Sequence, residues 1–124
     1  MTLQELYDRI GGNYAEALER MRMEKLISRF ILRFQTDTSC PDLFKAWDAQ
    51  DVEAAFAAAH AAKGVCGNLS LTELGRLSSV ICEALRPGND ALRASTDIDA
   101  CIAQLHTAYD NAIEQIALYE AELQ

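Results

Sequence analysis

The sequence has little proline, little glycine and few β-branched residues. It contains 2 prolines and 6 glycines in 124 residues, against 20 alanines. This composition favours helix over sheet, because alanine has the highest helix propensity and β-branched residues favour strands. Half of the residues are apolar and 24% are charged, so the chain can bury a core and is not a disordered tail. We therefore predict a single all-α domain over residues 1–124.

The chain also lacks clusters of basic residues and long apolar runs. It has 11 basic and 19 acidic residues, a net charge of −8, and a surface of this sign repels phosphate backbones and anionic lipids. The longest uncharged apolar stretch, 54–59, is too short to cross a bilayer, and the acidic amino terminus is unlike a signal peptide. We therefore expect a cytoplasmic monomer that binds neither nucleic acid nor membrane.

The spacing patterns of disulfide frameworks and zinc sites are absent as well. The four cysteines lie 26, 16 and 19 residues apart, with no CxxC pair and no histidine at ligand spacing: Cys40, Cys66, Cys82 and Cys101. We expect reduced thiols packed in helices, and no metal site. A metal site that combines these thiols with His60 fails on spacing, because Cys66 lies on a buried helical stripe and His60 does not.

Helix caps and apolar periodicity divide the N-terminal half into helices. A capping box that opens at Thr2 begins a short helix, which ends at Gly11. Asn13 caps one long helix, which runs until the polar stretch before Pro41. Its apolar stripe recurs at helical spacing: Met23, Ile27, Phe30 and Phe34. Pro41 at a first-turn position predicts a short helix or turn over 42–49.

The C-terminal half contains three more amphipathic segments. The first carries a stripe of mostly small residues: Val52, Ala55, Ala59, Ala62, Cys66 and Leu69. It ends near Gly67-Asn68, and Ser70 opens a capping box for the second, which ends before Pro87. A polar linker over 89–95 precedes the third, which runs from Ile98 nearly to the carboxyl terminus. We predict an up-down-up-down four-helix bundle with one or two short additional helices near the N-terminal half.

One face of the small-residue helix carries candidate chemistry. His60 lies about 130° from the centre of the stripe, so its imidazole faces solvent. Phe56, Lys63, Gly64 and Gly67 share its face of the helix. Two glycines inside a helix cost about 1 kcal/mol each relative to alanine, so a function should offset this cost. Gly64 clears the approach to the ring, and Lys63 supplies a positive charge one turn away.

An exposed neutral imidazole beside an ammonium group is a nucleophile suited to a phosphoryl group. Phosphoryl transfer depends on positioning and on charge neutralisation around Mg²⁺. The chain has neither a Gly-rich nucleotide loop nor a carboxylate cluster for the metal. We therefore expect no cofactor and no metal on this chain, and a partner that brings the Mg²⁺.

The stretch AAHAAKGVCGNLSLTELGRLSSVICEALR resembles the core of histidine phosphotransfer (HPt) domains. The hallmark of that family is His-x-x-Lys-Gly, followed by a turn and a leucine-patterned helix, which here corresponds to His60, Lys63 and Gly64, then 67–69 and Leu74. The resemblance extends more weakly upstream and covers 11–86. Family members often have glycine in the turn where this chain has Ser70. The serine either changes the turn or serves as a better helix cap, and we expect little effect on transfer.

The resemblance implies a phosphorelay intermediate rather than an enzyme with kinase activity of its own. His60 would accept a phosphoryl group from an aspartate of one receiver domain and donate it to another. The implied partners are response-regulator receiver domains and a hybrid histidine kinase, with Mg²⁺ bound by the receiver domain. The chain resembles a free-standing member of the family rather than a piece of a hybrid kinase.

Several alternatives stay open at this point. The chain could be an HPt-fold interaction module without phosphotransfer. Phe56 is either a residue that folds over the bundle edge or an apolar contact for a docking receiver domain, and Gly67 is a second docking candidate. Lys63 is either a phosphate contact or a solubilising charge. His106 has no Lys-Gly partner, so we assign it no function and expect a solvated or edge-packed side chain.

Overall fold

The computed structural model describes residues 1–123. Within this range the backbone forms eight α-helices, one 3₁₀ turn over Phe34–Thr36 and no β-strand, which confirms the all-α prediction. The helices are α1 (Leu3–Arg9), α2 (Tyr14–Met21), α3 (Glu24–Arg33), α4 (Ser39–Asp48), α5 (Val52–Asn68), α6 (Thr72–Leu85), α7 (Asp90–Ser95) and α8 (Ile98–Glu122). No helix in the described range is long and apolar enough to span a membrane.

The predicted long helix after Asn13 is wrong in one respect, because it is divided into α2 and α3. Arg22 ends α2 in the left-handed conformation, with φ of 72°. Met23, in extended conformation, then precedes α3. Met23 and Phe30 of the predicted stripe are 52% and 39% exposed, so the prediction is wrong at these two positions. Ile27 and Phe34 of the stripe are buried, as predicted, and Ile31 completes the buried face of α3.

Helices α1 and α4 begin at or near the residues that the capping box and Pro41 predict. The capping box of Thr2 and Glu5 is present at the start of α1, which confirms the predicted helix start. Helix α4 begins at Ser39, three residues earlier than predicted. Pro41 lies inside its first turn, where a missing N–H costs no intrahelical hydrogen bond.

Helices α5 and α6 form the predicted hairpin. Most of the predicted small-residue stripe of α5 is fully buried: Ala55, Ala59, Ala62 and Cys66. Cys82 contacts His60, and a Cβ atom built on Gly75 would lie 3.6 Å from that of Cys66, so the two helices run antiparallel. Small residues at this interface let the helix backbones approach closely. The hairpin fixes which residues of α6 lie beside the exposed face of α5.

The turn between α5 and α6 corrects the predicted cap at Ser70. Helix α6 starts one residue later than that cap requires, with Leu71 as its N-cap residue and no side-chain cap. Ser70 has φ of 55°, the left-handed region that favours glycine. Its hydroxyl hydrogen-bonds Glu16 at 2.9 Å, and its carbonyl accepts from the N–H of Asn13 at 2.8 Å. Ser70 therefore ties the turn to α2 instead of capping α6.

The C-terminal elements complete the bundle. Helix α6 ends at Leu85, as predicted from the Arg86-Pro87-Gly88 sequence. The predicted polar linker is wrong in part, because its residues form α7, stabilised at its start by the Asp90–Arg93 ion pair of 3.0 Å. Helix α8 packs against α1, α3, α4 and α6. The up-down order of the long helices stays a prediction.

Candidate functional site

His60 lies in the middle of α5 on the face turned away from the core. Its side chain is exposed, whereas the adjacent Ala59 is fully buried, which agrees with the position expected from the helical projection. The ring of Phe56, one turn earlier, lies 6.2 Å from the imidazole between centroids, at an interplanar angle of 33°. The imidazole is therefore accessible on one side and supported by an aromatic ring on another.

Helix α6 supplies a direct contact to this histidine. The Sγ atom of Cys82 lies 3.9 Å from Nδ1 of His60. Cys82 is fully buried, and this burial raises the pKa of its thiol, so the group stays neutral. This contact is not evident from the sequence, although the apolar periodicity of α6 and the helical hairpin are. Because Nδ1 faces Cys82, Nε2 is the ring nitrogen left for an incoming group.

The two glycines on the His60 face lie inside α5, as predicted. A Cβ atom built on Gly64 or on Gly67 would meet no other heavy atom within 4 Å. The space over Gly64 is therefore open, one turn from the imidazole. The carbonyl of Gly67 accepts a hydrogen bond from the guanidinium of Arg20, which ties α2 to the end of α5. Neither glycine is required by close packing.

Lys63 is less free than the sequence suggested, because its ammonium is paired. Its Nζ atom lies 3.5 Å from Oε1 of Glu83 on α6, and the two side chains are 42% and 38% exposed. Arg86 binds the same carboxylate through two nitrogens, at 2.9 and 3.1 Å. The hydrogen bonds from Arg86, followed by the smaller influence of Lys63, hold the pKa of Glu83 below its usual value. Glu83 is therefore an ionised carboxylate shared by two cations.

Arg86 also joins this charge cluster to the aromatic side chain beside His60. Its guanidinium carbon lies 5.3 Å from the ring centroid of Phe56, a cation–π geometry. Its Nη2 atom lies 4.0 Å from Sγ of Cys82. Phe56 is partly buried and packs against the core, so it fits both the edge-packing and the docking interpretation. Neither Glu83 nor Arg86 is evident as part of the site from the sequence alone, because Glu83 lies in the last turn of α6 and Arg86 directly follows that helix.

His106, the other histidine, has a different environment on α8. Its Nδ1 atom lies 3.0 Å from the carboxylate of Asp110, one turn later. Its ring lies 4.4 Å from the ring of Phe44 between centroids. This is the edge-packed position expected for it. It has no glycine one turn later to open the approach to its ring.

The cysteines occupy helices of the core, as predicted. Three of the four thiols are buried and all are free: Cys40, Cys66 and Cys82 are buried, and Cys101 is partly buried. Across residues 1–123, no three His, Cys, Asp or Glu side chains come together in a group that could hold a metal ion. The α5–α6 hairpin brings Cys82 beside His60, a contact that the spacing of the cysteines in the sequence does not show.

The fold and this site define an all-helical domain that presents one accessible histidine beside a pair of cations. The family model described as Hpt domain matches residues 15–117 of the chain. The chain therefore belongs to the Hpt domain family. The match begins four residues after the start of the sequence resemblance at residue 11, but it continues past residue 86 and includes most of α8.

Members of this family are phosphocarriers rather than kinases, and they carry out histidine phosphotransfer in phosphorelays. They interact with receiver domains and histidine kinases of two-component systems. Comparison with curated protein sequences gave no match, and neither did comparison with solved structures.

Proposed function

We propose that the chain is a phosphorelay intermediate in which His60 accepts a phosphoryl group from a receiver-domain aspartate and passes it to another receiver domain. The observation that carries the proposal is the exposed imidazole of His60 on α5, with open space over Gly64. The ammonium group of Lys63 belongs to the next turn of the same helix. Membership of the Hpt family supports the reaction class.

The transfer step follows from the orientation of the ring. With Nδ1 protonated and facing the sulfur of Cys82, the lone pair of Nε2 attacks the phosphorus atom of the aspartyl phosphate. The phosphorus–oxygen bond breaks, and its electron pair leaves with the receiver carboxylate. A nitrogen–phosphorus bond forms at Nε2, while Nδ1 keeps its proton. Donation to the next receiver is the reverse step on a different aspartate.

The proposal assigns the remaining catalytic parts to the partner. The receiver domain holds the Mg²⁺ that neutralises the transferred group, and the chain contributes position and positive charge. The expected partners are response-regulator receiver domains and a hybrid histidine kinase, and we expect the chain to act as a cytoplasmic monomer. It needs no cofactor of its own and has no kinase activity toward itself.

A receiver domain would dock along the exposed face of α5. Phe56 lies one turn before His60 and Gly67 two turns after it, so the face between them is about 16 Å long. We propose Phe56 as an apolar contact and Gly67 as a place where the partner approaches the helix closely. Arg86 over the Phe56 ring would lie at the same edge.

The test is phosphoryl transfer from purified receiver domains that carry a radiolabelled phosphoryl group. We expect the wild-type chain to take up label, His60→Gln to take up none, and His106→Gln to behave like wild type. His60→Gln should keep its helix content and melting temperature, because His60 is exposed and off the core. Label on His60→Gln contradicts the assignment. Receiver binding without any transfer to the wild type would instead indicate an interaction module.

A further inference from the structure

Two cations and one carboxylate surround the accessible histidine. Lys63 is on α5, and its ammonium lies 3.5 Å from the carboxylate of Glu83 on α6. Arg86 holds the same carboxylate at 2.9 and 3.1 Å. With Glu83 ionised, the three groups leave one net positive charge beside His60. Without the charge of Glu83, there would be two.

The contacts show that these charges belong to the surroundings of the imidazole. Glu83 follows Cys82, whose sulfur contacts Nδ1 of His60. Arg86 contacts that sulfur and covers the Phe56 ring, which in turn lies against the imidazole. Lys63 is one turn from His60 on the same face of α5. A phosphoryl group on His60 would therefore be close to both cations and to the carboxylate that holds them.

Resting on the function proposed above, we propose that Glu83 competes with the phosphoryl group for Lys63 and Arg86 and thereby weakens the phosphorylated state of His60. A phosphoryl group and Glu83 are both anions, and each can accept from an ammonium and a guanidinium. Lys63 and Arg86 cannot form all of their ion pairs with both anions at once, and the two anions also repel each other. Phosphohistidine is therefore held loosely, which favours onward donation over storage.

This role predicts opposite effects on the two directions of transfer. Glu83→Gln removes the negative charge but keeps the side-chain length and one carbonyl oxygen. Phosphohistidine then gains the full attraction of Lys63 and Arg86, so acceptance from the receiver becomes faster and donation back becomes slower. We expect the equilibrium ratio of phosphorylated chain to phosphorylated receiver to rise by about three- to tenfold, the effect of one solvent-screened charge.

The experiment measures forward and reverse transfer with one purified receiver domain and the full chain. Glu73→Gln is the matched control, because Glu73 also pairs with an arginine three residues later on α6, Arg76, at 2.7 Å. The control should leave the equilibrium ratio unchanged. Helix content and melting temperature of both variants show that each is folded.

Three results would overturn the proposal, and they can be told apart. If the ratio and both rates are unchanged in Glu83→Gln, its charge has no influence on phosphohistidine. Forward and reverse rates that fall together show that Glu83 only positions Lys63 and Arg86 for the receiver. A wild-type chain that accepts no phosphoryl group contradicts the proposed function itself, whereas the first two results leave it intact.

Discussion

The sulfur of Cys82, in the last turn of α6, lies 3.9 Å from Nδ1 of His60 on the exposed face of α5. The contact orients the histidine from the neighbouring helix, because it engages the ring nitrogen that is nearer the backbone. The next residue on α6, Glu83, pairs with Lys63 on α5. The environment of the accessible imidazole is therefore built by both helices of the hairpin and depends on their register.

Replacement of Gly64 by glutamine should separate stability from transfer. A side chain at Gly64 meets open space, so Gly64→Gln should keep the fold and gain up to about 1 kcal/mol from helix propensity. The same side chain obstructs in-line approach to His60, and transfer should slow by at least about tenfold. Thermal unfolding and a transfer time course measure the two effects. Gly64→Ala, which adds one methyl group, should slow transfer less, and a wild-type rate in Gly64→Gln would contradict the clearance argument.

Lys63→Ala should slow transfer by on the order of 1.5 kcal/mol, about tenfold, if Lys63 makes one charge-assisted contact in the transition state. This value is at the lower end of the free energies for charge-assisted hydrogen bonds, because the Lys63 side chain is 42% exposed and is also paired with Glu83. Stability should change by less than about 1 kcal/mol. Lys25→Ala on the exposed face of α3 is the control and should transfer normally. An unaffected Lys63→Ala would make Lys63 a solubilising charge only.

Removal of Mg²⁺ should stop transfer from a phosphorylated receiver domain. The proposed transition state needs a divalent cation to neutralise the transferred group, and the proposal assigns that ion to the receiver. A transfer time course with and without EDTA, followed by re-addition of Mg²⁺, measures this. The chain alone should neither bind nor hydrolyse ATP. Full-rate transfer in EDTA would show that the chain itself carries the groups that neutralise the transferred phosphoryl group.

The break between α2 and α3 predicts a stabilising substitution. Arg22 is exposed and left-handed, a conformation that costs a non-glycine residue energy. Arg22→Gly should stabilise the fold by about 0.5–1 kcal/mol. Arg29→Gly, the same change inside the regular helix α3, should destabilise it by about 1 kcal/mol. Chemical denaturation of the two variants tests the opposite signs, and equal destabilisation would contradict the account of the break.

Sequence signals predicted those parts of the fold in which local pattern and tertiary packing agree. The small-residue stripe of α5 was recognisable because its burial repeats every three or four residues. The break at Arg22 was not, because arginine gives no signal for a left-handed residue where glycine or asparagine would. The predicted helix cap at Ser70 was wrong for a related reason. Serine is a common N-cap residue, but here it occupies a left-handed position that favours glycine.

In the candidate site, too, local sequence pattern predicts some residues and tertiary packing alone brings in the others. His60, Lys63 and Gly64 lie within two turns of one helix, so their common face follows from helical geometry alone. Cys82, Glu83 and Arg86 join them only through the register of the α5–α6 hairpin. A register shift of one residue on α6 would bring different side chains to His60, and the spacing of apolar residues within each helix does not reveal that register.

The most direct test of the central claim is the location of the phosphoryl group after incubation with a phosphorylated receiver domain. Peptide mapping by mass spectrometry at neutral pH preserves a nitrogen–phosphorus bond and identifies the modified residue. We predict one phosphoryl group, on His60, that is labile in acid and more durable in base. A phosphoryl group on His106 or on a carboxylate, or an unmodified chain after receiver binding, would contradict the account.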